Sequence, residues 1–334
     1  MAEEKWTAFR RPVVGLPKAM LYYREHVKWE TFLRMMDVEF IVSQDTDLKI
    51  LNQGMADAVD EMCLSAKIYM GHVNWLIGKC DYILIPWIAN YGYRHDLCHT
   101  FTAMYDICRN VYRESGQRFL TYCVDERNGQ KEEDAYLKMA ASLGVSRSVA
   151  RKAFKAALKA DAADWKGQIR EQEILARRAG MKVMVAAHPY VIQDPYFGQP
   201  VMRMLENMDV TVLTADVTDR SAAVKRAQKF SSTMKWEYSM EVIGGLLDKR
   251  KVDGIVFITA FPCGPDSMVN EIYLRRKKDV PILNLVLDAQ SGTAGLETRL
   301  ESFIDILRLR KSGTAALQQS QNGAAEAERQ EETA

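Results

Sequence analysis

Short apolar runs rich in β-branched residues recur along the chain, each followed by a longer stretch in which apolar positions return every three or four residues. The runs are Val13 to Leu16, Glu39 to Val42, Tyr82 to Pro86, Arg118 to Val124, Lys182 to Ala187, Thr211 to Thr214, Gly254 to Ala260 and Ile282 to Leu287. Several are apolar without interruption, as strands buried on both faces of a parallel sheet are. Between them, Ala19 to Met36, Leu48 to Met62, Ala66 to Lys79, Val201 to Met208, Trp236 to Lys249 and Ser267 to Lys277 read as helices. Strands alternating with helices predict an α/β protein with parallel sheets.

Lys131 to Arg178 breaks the rhythm: it has no strand run and no proline, and it is rich in Ala, Lys, Arg and Glu. It predicts two or three helices, with Gly144 and a Ser146 cap at one break and Gly180 closing the last. The strand runs divide equally around this interval. The expected organisation is therefore two similar α/β domains, residues 12–128 and 181–311, joined by a helical connector over 129–180. No repeat is legible residue by residue. Ser312 to Ala334 carries almost nothing large and apolar, and predicts a disordered tail over 312–334.

Composition narrows the function classes. The chain has 334 residues, 48% of them hydrophobic and 27% charged, enough for a substantial core. Its 45 Lys plus Arg balance 44 Asp plus Glu for a net charge of +1, so no footprint for nucleic acid or anionic lipid is visible. The longest apolar runs fall well short of the roughly 20 residues that span a bilayer. The charged start, Met1 to Arg11, lacks a signal-peptide pattern and predicts a cytoplasmic protein.

Six cysteines are too few for a disulfide scaffold in a chain of this size, and none stands in a CxxC pair. In open parallel sheets function gathers at the carboxyl ends of the strands. Cys263 follows the run Gly254 to Ala260 in Phe-Pro-Cys-Gly-Pro-Asp-Ser, with Asp266 or Ser267 expected to cap the next helix. That setting puts its sulfur beside unpaired backbone N–H groups and favours thiolate; the same residues also fit a buried structural cysteine in a tight turn. Cys98 lies in the polar stretch Asn90 to His99, and Cys63 is expected to end one helix just before another. Cys80, Cys108 and Cys123 sit inside helix or strand patterns and read as apolar filler.

No GxxxxGK[ST], no GxGxxG after a strand and no HExxH is present, so neither an ATP site, a usual dinucleotide site nor a metalloprotease site is signalled. His95-x-x-Cys98-His99 lacks the second half a zinc site needs. His188, in Ala-Ala-His-Pro-Tyr at a strand end, suits a ligand or a proton, or a backbone-satisfied turn.

Taken in order, Gly15-Leu16-Pro17-Lys18-Ala19-Met20, the segment Asp60 to His72 with Cys63, Lys67 and Gly71-His72-Val73, His188-Pro189-Tyr190, Cys263-Gly264-Pro265-Asp266-Ser267, and Asp288 to Phe303 with Thr298-Arg299-Leu300-Glu301 resemble the 2-hydroxyacyl-CoA dehydratase superfamily. Within it they are most similar to the branch of acyl-CoA dehydratase activase-related proteins, which occur alone or fused to an ATPase activase. The resemblance runs from about Pro12 to about Leu309. It departs at Ser65, where the family often has proline, which puts the local turn in question.

The resemblance implies two flavodoxin-like or Rossmann-like domains with an iron–sulfur cluster, of 4Fe-4S or double-cubane type, held between them. It carries the ligand roles onto Cys63, Cys98 and Cys263 and places Lys67, His72 and His188 beside the site. It implies a low-potential electron-transfer component, or a dehydratase-like subunit, working with an ATPase activase or a homologous subunit; a homodimer is the other arrangement. No CoA pocket is legible. From the residues alone, a non-catalytic α/β binding or regulatory module with structural cysteines stays open.

Overall fold

The structure, a computed structural model, describes residues 11–248, 250–277, 279–291 and 295–313. Most of the tail expected over 312–334 lies outside these.

Two four-stranded sheets, both wholly parallel, organise the chain. The first has the order β2-β1-β3-β5, from β1 (Val14–Leu16), β2 (Phe40–Val42), β3 (Tyr82–Leu84) and β5 (Arg118–Leu120). The second has the order β10-β9-β7-β8, from β7 (Met181–Ala186), β8 (Val210–Thr214), β9 (Gly254–Ala260) and β10 (Ile282–Leu287). Counted within each sheet, both run 2-1-3-4, so the chain repeats its topology without repeating its residues.

In the second sheet the uninterrupted apolar runs are explained by two packed faces. Val183, Val185, Val256 and Ile258 enter the large core that continues into the first lobe, while Met184, Ala186, Ile255 and Phe257 enter a smaller core on the opposite face. Successive residues point to opposite sides of a strand, so both sets must be apolar.

The run expected as one strand from Arg118 to Val124 is two. β5 stays in the first sheet, and β6 (Cys123–Asp125) pairs with β4 (Trp87–Asn90), a strand the pattern did not predict, in a separate parallel ladder. The break falls opposite Pro86, yet backbone bonds to the β5–β6 run continue on either side of it, from Ile85 N to Leu120 O at 2.8 Å and from Trp87 N to Tyr122 O at 2.9 Å.

Between the sheets, the predicted helical interval is α5 (Glu132–Ser142) and α6 (Arg147–Ala176). Gly144 has φ +74° between them, and the Ser146 side chain accepts from Val149 N at the start of α6. α6 packs along α1 (Tyr22–Met35) at one end and against β8 at the other. Tyr136 of α5, fully buried, stacks its edge or face on Phe32, Tyr122 and Phe154, joining α1, α5, α6 and the β5–β6 link.

Candidate functional site

In the second sheet the strand order reverses between β7 and β9, and a parallel α/β sheet opens a crevice at such a point. His188 follows β7 there and Cys263 follows β9. Cys263 caps α11 (Gly264–Arg276), after a cis Phe261–Pro262 peptide. The expected caps lie inside this helix instead: Ser267 Oγ turns back to Cys263 O at 2.7 Å, and Asp266 accepts from His188 Nε2 at 2.8 Å and from Ser239 Oγ at 3.3 Å. His188 stacks on Tyr190 with ring centres 4.9 Å apart.

The first lobe supplies the other wall. α2 (Leu48–Asp57) ends earlier than the pattern predicts, and Cys63, rather than closing it, caps α3 (Leu64–Leu76). Leu64 N donates to Phe261 O at 2.9 Å, which ties the start of α3 to the loop before Cys263. Cys98 stands one residue before the cap of α4 (Thr100–Val111), its thiol 3.4 Å from Thr100 Oγ1. Its loop is held by Asp96, whose N–H donates to Lys235 O and whose carbonyl accepts from Glu237 N at the start of α10 (Glu237–Leu246).

Cys63, Cys98 and Cys263 thereby line one cavity, with His188, Tyr190 and Tyr238 among its other walls. About 30 Å³ of it is open to the centre of a water-sized sphere, room for about two waters. Each thiol sits at or just before a helix N-terminus, where free N–H groups and the helix dipole favour negative charge. Burial opposes this. It pushes Cys63 up to about 11, against hydrogen bonds from Ala66 and Ser65 N–H. Burial, then the Asp266 carboxylate, push Cys263 well above the ordinary thiol range. The thiolate expected at Cys263 is therefore a thiol in the metal-free protein, because desolvation outweighs the turn's N–H groups. Cys98 adds to the rise at Cys63, and Cys63 and Cys98 add to that at Cys263, since negative charges would share one small space.

His188 is nine-tenths buried; burial lowers its pKa, but the Asp266 carboxylate overrides this and the net shift is upward. Its Nδ1 and the hydroxyl of Ser65 are buried without a hydrogen-bond partner. Among the described residues no three His, Cys, Asp or Glu side chains are placed to hold a single metal ion. A cubane binds each thiolate through a different iron, so its ligands stand farther apart than those of one ion.

Two expected neighbours lie elsewhere. Lys67 is half-buried and donates to Asp60 O at 2.9 Å, and His72 is fully buried between Ser43 and Thr46; neither is among the cavity-lining residues. Cys108 is buried filler, as expected, and Cys80 is half-buried; Cys123 is instead exposed on β6, in the short ladder that the pattern did not resolve. Sequence reasoning missed Tyr238 and Ser239, which enter from the first turn of α10, where no motif marks them.

The chain matches the family described as CoA enzyme activase uncharacterised domain (DUF2229) over residues 13–218, and it belongs to that family. The match covers the first lobe, the connector and the first two strands of the second sheet, including Cys63, Cys98 and His188. Comparison with curated proteins gives no match. Among solved structures, the C-terminal domain of glucosamine-fructose-6-phosphate aminotransferase from Francisella tularensis is 10% identical over 88% of this chain and 84% of its own, with a TM-score of 0.21, too low to carry an argument. No helix among the described residues is long and apolar enough to cross a membrane.

Proposed function

We propose that this chain is an iron–sulfur protein of the 2-hydroxyacyl-CoA dehydratase type, with Cys63, Cys98 and Cys263 as ligands of a 4Fe-4S cluster, and that it works as a low-potential redox component with an ATP-driven activase. The observation that carries this reading is the convergence of three cysteines from two lobes, each at a helix start, on one cavity. Membership of an activase-related family supports the choice of partner.

The donor set fits such a cluster in kind. Thiolates are the ligands iron–sulfur clusters take, and three of them leave one iron with an open position, which supplies Lewis acidity and a low-potential electron. The raised thiol pKa values then describe the metal-free protein, since ligation requires and rewards deprotonation. The small volume means that the cavity's side chains must separate to admit a cluster.

The chain's own groups have separate tasks. The N-terminal turns of α3, α4 and α11 offset negative charge on the sulfurs. Leu97, Phe101, Tyr190 and Tyr238 keep water from the cavity. Asp266 orients His188 through Nε2, leaving Nδ1 to exchange a proton or a hydrogen bond with whatever enters. No nucleotide-binding motif is legible in this sequence, which agrees with an ATPase activase as the source of ATP coupling.

Anaerobic purification and reconstitution with iron and sulfide test the reading. The expected protein is brown, absorbs broadly at about 400 nm, and loses iron in each of Cys63→Ala, Cys98→Ala and Cys263→Ala. The iron-to-protein ratio separates a single cubane from a double one. A folded, colourless, iron-free protein after reconstitution overturns the proposal and leaves the non-catalytic module.

A further inference from the structure

A second opening, a cleft of about 430 Å³, lies between α1, α5, α9 (Arg220–Phe230) and α10. It shares α10 with the cysteine cavity: Tyr238 and Ser239 face the cavity, Glu237 and Glu241 the cleft. Its size is in the range of small-molecule sites.

The four carboxylates of the cleft are already answered by cations. Glu241 takes both terminal nitrogens of Arg24, Glu25 and Glu132 take Lys28 at 2.5 and 2.8 Å, and Glu237 takes His95 at 2.5 Å. The two cations that α9 contributes are answered less well. Arg220 has Asp161 no nearer than 4.0 Å, its Nε is buried without a hydrogen-bond partner, and its guanidinium lies 3.7 Å over the Trp165 ring. Burial, then the neighbouring Arg24, disfavour its charge, and Glu241, Glu25 and Asp161 offset this only in part. Lys225, five residues further along the same helix, has no hydrogen bond or ion pair among the described residues.

A guanidinium only 22% exposed, with an unpaired Nε–H and a second cation beside it, is one acceptor short of a satisfied arrangement. An oxyanion supplies the acceptor and relieves the repulsion between Arg24 and Arg220. Four carboxylates around the same space weigh against a dianion, whereas a carboxylate brings one charge and the planar geometry a guanidinium matches. We propose that this cleft binds a small organic monocarboxylate, its carboxylate held by Arg220 and Lys225 and its organic part extending toward Val224 and Tyr91. The inference uses none of the cysteines and is independent of the cluster reading.

Saturation-transfer NMR on the full chain, with propionate as probe and inorganic phosphate as competitor, decides it. Propionate should bind saturably. Arg220→Gln should raise the half-saturation concentration by about tenfold or more, the loss of a charge-assisted hydrogen bond. Lys225→Gln, at an exposed position whose circular dichroism spectrum should not change, should raise it several-fold, which keeps the test sound if Arg220→Gln misfolds. Non-saturable binding, or wild-type binding in Lys225→Gln, overturns the site. Phosphate that displaces propionate at concentrations below those at which propionate itself saturates overturns the ligand class.

Discussion

Lowering the pH from about 7.5 to about 5 should destabilise this protein through His72 by an amount that one substitution can isolate. The ring is fully buried, with Nδ1 2.8 Å from Ser43 Oγ and Nε2 2.9 Å from Thr46 Oγ1. Thr46 commits its own hydroxyl proton to Asp194 Oδ2 at 2.5 Å, so it must accept from His72. The imidazole is thus neutral, with its proton on Nε2, and Nδ1 accepts from Ser43. A second proton would break the Ser43 bond and place a charge in the core. Burial, and after it Lys18, accordingly lower the pKa from 6.5 to about 3. Between those values the unfolded chain holds a proton that the folded protein does not, so stability falls as pH falls. The depression of about 3.5 units corresponds to about 5 kcal/mol, present in full above the unfolded pKa and lost on approach to about pH 3. By pH 5 the loss is about 2 kcal/mol. Urea unfolding of the wild type and His72→Gln at a series of pH values measures it. The other titrating groups cancel in the difference, and the glutamine variant should be less pH-sensitive by about 1.4 kcal/mol per unit below the unfolded pKa. Parallel stability profiles for the two proteins would refute the reasoning.

Three further outcomes follow from the packing. Gly71→Ala should cost about 1–3 kcal/mol in urea unfolding, because a Cβ there would stand 2.0 Å from Ile50 O on α2, just as one at Gly54 would stand 1.9 Å from Lys67 O on α3. Glu241→Gln should cost about 3–5 kcal/mol by leaving Arg24 buried without its principal counter-charge, and replacing both residues with methionine should cost less than that single change. Cys108→Ala should leave the absorbance and iron content of reconstituted protein unchanged, since Cys108 is packed against Met70 and not against the cavity; lost colour would mean that the ligand set is wrong.

Fold class was legible because both-face burial writes itself directly into residue type: the apolar runs of β7 and β9 alternate between two cores, with Lys182 and Thr259 as their few polar positions. The β3–β4 and β5–β6 breaks were not, because Trp87 to Asn90 and Cys123 to Asp125 pair only with each other, outside the main sheet, and Pro86 signals an interruption without saying that the strand resumes. At the site, Cys63 and Cys263 were marked by local motifs. Where they meet, Leu64 N bonds Phe261 O, between segments that no spacing relates. His72 misled because its Gly-His-Val context lies next to the Cys63 segment in sequence. A helix turn carries its ring to the opposite side, toward Ser43 and Thr46.

α6 runs for 30 residues, about 45 Å of continuous helix at 1.5 Å per residue. Near its start Ala150, Ala153, Phe154 and Ala157 are buried; near its end the Gln172 side chain bonds the backbone of Thr214 and Val217 like an added rung of the second sheet. A connector of this kind is a girder bolted at both ends, not a hinge. Attached at both ends, it resists swinging the two halves of the molecule apart. Motion that admits a partner or ligand must come from the loops carrying Cys98 and Cys263, between β4 and α4 and between β9 and α11, while the frame stays still.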